Sequence, residues 1–147
     1  MPHRKHFGDR TRQAALFETM ILVAGADGEV TRDEVEEIYR RVFERPEFQG
    51  IHAKDLRDAI GHAAQQVAKA KDMRQLLPTL AERLPEPESR RLAFGLAASV
   101  AMADGTTPPA ELAVLKALQD AFAIPDADVV RLFEAAESRG PLPTEGK

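Results

Sequence analysis

The chain contains no cysteine. That absence removes disulfides, thiolate zinc sites and cysteine nucleophiles, and it fits a reducing compartment. Tryptophan is absent too, and aromatic residues make up only 5% of the sequence. The core must therefore come from Leu, Val, Ile, Ala and Met. Positive charge is not in excess: 20 Lys and Arg stand against 24 Asp and Glu, a net charge of -4. A general nucleic-acid binder needs a basic face to displace counterions, so that class is set aside. No apolar run reaches the roughly 20 residues of a membrane span, so direct membrane insertion is not expected. The basic start, Met1 to His6, is not followed directly by an apolar stretch and does not read as a signal peptide. The motifs of common enzymes are missing as well. There is no P-loop, no dinucleotide fingerprint, no Gly-x-Ser-x-Gly and no His-Glu-x-x-His, and Ser89, Ser99 and Ser138 have no histidine at a suggestive spacing. The expectation is a protein that is not an enzyme.

What remains is a helix-forming composition in a chain of 147 residues, with 44% hydrophobic and 30% charged residues. A single domain of that size buries about 70% of the surface its unfolded chain would expose. Its boundaries are expected at 9–140, between disordered tails at 1–8 and 141–147. His3 and His6 belong to the first tail and read as solvated.

The pattern that organises the chain is a repeat. Ala26-Asp27-Gly28-Glu29-Val30-Thr31-Arg32-Asp33-Glu34 recurs, weakened, 77 residues later as Ala103-Asp104-Gly105-Thr106-Thr107-Pro108-Pro109-Ala110-Glu111. The match extends outward, with Ile21 to Ala24 opposite Ala98 to Ala101, and Val35 and Ile38 opposite Leu112 and Leu115. In both copies an apolar helix stops at Ala-Asp-Gly and a new helix starts with a glutamate in its first turn. Gly28 and Gly105 are the structural turn residues, permitting a backbone with positive φ.

Apolar spacing predicts seven helices and no strand. The first runs from about Asp9 to Ala26, broadly apolar and hence central. The second opens with the capping box Thr31-Arg32-Asp33-Glu34, carries the stripe Val35, Ile38, Tyr39, Val42, Phe43, and stops at or before Arg45 because of Pro46. The pairs Glu36/Glu37 and Arg40/Arg41 read as a solvated face with i,i+4 ion pairs. The third starts near Lys54 or Asp55 and uses Leu56, Ala59, Ile60, Ala63, Ala64 and Val67, with His62 solvated beside the stripe. The fourth spans about Asp72 to Leu84 and should be broken or kinked at Pro78. The fifth begins with Pro87 in its first turn and carries Leu92, Leu96, Val100 and Met102. The sixth opens at Thr107-Pro108 and places Leu112, Leu115, Leu118 and Phe122 inside. The seventh follows a turn at Ile124-Pro125 with Asp126 as a cap, and uses Val129, Leu132, Phe133 and Ala136. Val23 and Val100 are both expected to be buried near a pseudo-two-fold axis relating two helix-turn-helix units. The pairs Arg90-Arg91 and Arg4-Lys5 are too small to argue for a polyanion partner.

The Ala-Asp-Gly turn matches the second half of an EF-hand loop. With Glu34 at position 12, Asp27 takes position 5, Gly28 position 6, Val30 position 8 and Thr31 position 9. Positions 1 and 3 are Val23 and Gly25, and in the second copy Val100 and Met102, so neither loop alone supplies the six to eight oxygens calcium takes. A cation would need the loops to face each other, with Asp27, Glu34, Asp104 and Glu111 as four carboxylates. Without a cation those four would repel and titrate upward. The alternative is that the loops are purely structural, Asp27 bonding its own turn and Glu34 its capping box.

The doubled motif, Val23-Ala24-Gly25-Ala26-Asp27-Gly28 through Glu34 and Val100-Ala101-Met102-Ala103-Asp104-Gly105 through Glu111, resembles the TerB family of tellurite-resistance proteins and the related domain at the start of some membrane-anchored DnaJ-like co-chaperones. The order of predicted helices fits over roughly residues 10 to 137. The resemblance implies an all-α, seven-helix bundle and a divalent cation (Ca2+, Mg2+ or Mn2+) at Asp27, Glu34, Asp104 and Glu111. It also implies a cytoplasmic role in tellurite and chemical-stress resistance, exerted through protein partners in complexes near the membrane. The second copy departs from the first: Thr106, Pro108, Pro109 and Ala110 stand where Glu29, Thr31, Arg32 and Asp33 do, so the acidity is lopsided. The runner-up function is a helical interaction module without metal.

Overall fold

A computed structural model describes residues 10–26, 31–44, 51–70, 73–102 and 109–138. The tails at 1–8 and 141–147, the turn residues Asp27, Gly28, Asp104 and Gly105, and the predicted helix start at Thr107-Pro108 all lie outside the described residues. Among the described residues the chain is all-α. It forms α1 (Arg10–Ala24), α2 (Arg32–Glu44), α3 (Ala53–Lys69), α4 (Met73–Arg83), α5 (Pro87–Ala101), α6 (Pro109–Phe122) and α7 (Asp126–Ser138).

The repeat is kept to the residue in the helix limits. Adding 77 to the ends of α1 gives both ends of α5, and adding it to the start of α2 gives the start of α6. Local chemistry explains the shared ends. Thr31 and Pro87 are placed where helices begin, and α2 ends at Glu44, two positions before Pro46 in the sequence. α1 and α5 are the two central helices. Every residue from Ala15 to Val23 is buried, as is every residue from Leu92 to Ala98. A helix apolar on all sides belongs inside a bundle, and α1 and α5 pack on each other more extensively than any other pair. Around them α3 packs on α1 as α7 packs on α5, so the two halves are built alike.

Several positions differ from the sequence expectation. α4 runs unbroken through Pro78. Pro78 sits mid-helix on the exposed side, where water can meet the one carbonyl left without its backbone partner, and the Thr79 hydroxyl donates to the Leu76 carbonyl at 2.7 Å. Leu112 is 48% exposed, and Val114 takes an inward place beside Leu115, Leu118 and Phe122. At about 100° per residue, Leu112 falls to the side of that stripe. Phe43 is 49% exposed for the same geometric reason, its ring stacked on Tyr39 at 5.7 Å. Val23 is fully buried, whereas Val100 is only half-buried near the end of α5. Asp126 is the first residue of α7 and does not cap it: the N–H groups of Asp128 and Val129 bond back to the Pro125 carbonyl, and the Asp126 carboxylate accepts from Gln119 Nε2 at 2.6 Å.

α6 ends in a Schellman motif with an alanine where glycine is usual. Ala123 has φ 56°, its N–H bonds to the Asp120 carbonyl, and the Ile124 N–H bonds to the Gln119 carbonyl. Ile124 is buried and anchors the motif. A side chain at positive φ is strained. Ala123→Gly is therefore expected to raise stability by about 1 kcal/mol, since Ala123 is exposed and loses no packing. A higher urea midpoint with an unchanged slope checks it.

Candidate functional site

Of the four carboxylates expected to hold a cation, Glu34 and Glu111 are described and Asp27 and Asp104 are not. Glu34 sits in the first turn of α2 and completes the expected capping box. Its Oε1 accepts the Thr31 backbone N–H at 2.8 Å, and its own N–H donates to Thr31 Oγ1 at 3.2 Å. Its second oxygen has no hydrogen-bond partner among the described residues, and the side chain is half-exposed. Glu111 holds the same place in the first turn of α6, also half-exposed, and is engaged with a neighbour. Oxygen donors of this kind suit a hard cation. Among the described residues no three Asp, Glu or His side chains gather into a metal-binding group, so the fit of the full set turns on the two aspartates.

The approaches to both turns are built alike. At the end of α1 the Gly25 N–H bonds to the Ile21 carbonyl at 2.9 Å and the Ala26 N–H to the Val23 carbonyl at 3.2 Å. At the end of α5 the Met102 N–H bonds to the Ala98 carbonyl at 3.0 Å. The helix starts also meet, because Arg12 in the first turn of α1 forms two parallel hydrogen bonds with Glu86, the N-cap of α5. Two helices of 15 residues whose starts touch, and which pack extensively on each other, run in the same sense. Their last residues, Ala24 and Ala101, thus leave at the same end of the bundle, each three residues before the aspartate of its Ala-Asp-Gly sequence.

A set of long-range, largely buried polar ties fixes this arrangement, and sequence reasoning did not find it. The Arg12 hydrogen bonds hold the Glu86 carboxyl down from 4.5 to about 2. Glu18, buried in the middle of α1, receives both Arg83 nitrogens at 2.7 and 3.0 Å. Arg90 donates to the Leu84 carbonyl at 2.7 Å and the Ala81 carbonyl at 3.0 Å, at the end of α4, and reaches the Phe122 carbonyl at the end of α6. Arg91 binds the buried Asp128 of α7 at 3.1 Å, and Arg131 adds a contact at 3.4 Å. The Arg90-Arg91 pair is thus turned inward. A charged residue amid an all-round apolar helix, as Glu18 is, was the one available signal.

A duplicated all-helical bundle whose two central helices each lead into an Ala-Asp-Gly sequence is a defined class. The chain belongs to the family described as tellurite resistance protein TerB, whose model matches residues 9–134. The matched span takes in α1 to α6 and most of α7. No curated protein and no solved structure matches the chain.

Proposed function

We propose that the chain is a non-enzymatic member of this family, acting in the tellurite or chemical-stress response, that binds a divalent cation where its two Ala-Asp-Gly turns leave the central helices. The observation that carries this reading is the shared exit of α1 and α5 at one end, in the same register, with an acidic turn after each. Asp27 and Asp104 would supply oxygens from the turns, and Glu34 and Glu111 from the helix starts beyond them. The cation would neutralise the four carboxylates and tie the repeats together at the end opposite the Arg12–Glu86 pair. Its working partners are proteins, in the cytoplasm, in complexes that can lie near the membrane. Among the described residues no helix is long and apolar enough to cross a membrane.

A second reading has its own observation. The Glu34 carboxylate already serves a capping box, as a purely structural turn requires. On that reading the fold is a helical interaction module and no metal is involved. Calorimetric titration separates the two. Calcium, magnesium or manganese should bind with modest affinity, on the order of 10⁻⁴ to 10⁻³ M, and in preference to zinc. Asp27→Asn combined with Asp104→Asn should remove the heat of binding. No binding by the parent chain puts the interaction-module reading in front.

A further inference from the structure

We infer that α2 is a flap that opens as a unit while the rest of the bundle stays folded, and that Arg57 of α3 is its latch. The argument starts from the repeat. α6 stands in the second half where α2 stands in the first, yet the two are seated differently. α6 buries Val114, Leu115, Leu118 and Phe122 and packs on α5, α4 and α1. α2 buries only Ile38 and Val42, and packs on α3 and more lightly on α1. The long-range polar ties follow the same division. Arg12–Glu86, Glu18–Arg83, Arg90 with its carbonyls and Arg91–Asp128 join α1, α4, α5, α6 and α7, and none touches α2.

Among the described residues, the charged side-chain ties of α2 to the rest of the molecule come from one residue. Arg57 pairs with Glu36 at 3.6 Å and lies over the Tyr39 ring, its guanidinium carbon 4.3 Å from the centroid. Both partners of the ion pair are exposed enough for solvent to screen it. Three further charges of α2 pair within the helix, where Glu37 binds both Arg40 and Arg41. The Arg41 Nε is enclosed with no hydrogen-bond partner among the described residues, so lifting the helix returns a donor to solvent. Few buried apolar side chains and surface-only polar ties are the marks of a segment that opens below the cost of global unfolding. Opening would bare the apolar surface of α3 and α1 beneath Ile38 and Val42, in the first repeat only.

Native-state hydrogen exchange at increasing sub-denaturing urea, read by mass spectrometry on the full chain, tests this. The α2 amides should exchange through an opening with weaker urea dependence than those of α1, α5 and α6. Arg57→Ala should speed exchange in α2 by roughly three- to tenfold and leave α5 and α6 unchanged, with Arg57→Lys between the two. Merging of the α2 and α6 isotherms at every urea concentration overturns the proposal. Equal acceleration of all helices by Arg57→Ala overturns it as well, because Arg57 would then stabilise the bundle as a whole.

Discussion

Replacing Arg83 with alanine is expected to destabilise the protein by about 3 kcal/mol, more than most single changes at a partly exposed position. The cost arises at its partner. Glu18 has a side chain only 4% exposed, in the middle of α1, and Arg83 supplies both hydrogen bonds that meet its carboxylate. Without Arg83 a buried carboxylate is left unpaired. A well-packed apolar pair of similar volume often replaces a buried ion pair with little loss. The double change Glu18→Leu with Arg83→Leu should therefore stay within about 1 kcal/mol of the parent. Urea unfolding of the parent, both singles and the double gives a cycle. Additive losses from the two single changes would show that the pair is not the source of the effect.

The second large effect is expected at Arg90. Its guanidinium collects the Leu84 and Ala81 carbonyls and approaches that of Phe122, so one side chain closes the ends of α4 and α6 against α5. Helix-end carbonyls lack intrahelical partners, and bonds to a charged donor are among the stronger ones. Arg90→Ala should cost about 2 to 3 kcal/mol. Arg90→Lys should recover only a minority of that, because a compact ammonium cannot span carbonyls that a planar fork reaches together. Thermal unfolding of both variants checks the order: parent, then lysine, then alanine.

These two arginines mark the limit of what the sequence discloses. Helix order, the capping box at Thr31 and Glu34, the first-turn position of Pro87 and the 77-residue repeat depend on neighbours within a few positions, and all were legible. The central place of α1 was legible too, because its apolar residues surround the helix. Glu18 and Arg83 stand 65 residues apart and Arg12 and Glu86 stand 74 apart, and no local rule pairs them. Leu112 and Phe43 lie at the edges of their stripes, where exposure depends on how each helix is rotated against its neighbours. Asp126 has the residue type of a cap, but Pro125 takes the capping position and Gln119 takes the carboxylate. Ala123 gives no glycine signal for the turn it makes. Of the candidate site residues, Glu34 and Glu111 stand in the first turns of α2 and α6, as the repeat predicts. The aspartates lie outside the described residues, and their role rests on the repeat.

The measurement that bears most directly on the cation is thermal unfolding with and without millimolar calcium, on the parent chain and on the Asp27→Asn, Asp104→Asn double variant. A cation that binds only the folded state stabilises it by mass action, so the melting temperature of the parent should rise with the logarithm of free calcium above the dissociation constant. The double variant should keep the helix content of the parent, since Asn also suits the turn, and should show no rise. A parent chain whose melting temperature does not respond to calcium, magnesium or manganese would contradict the cation site.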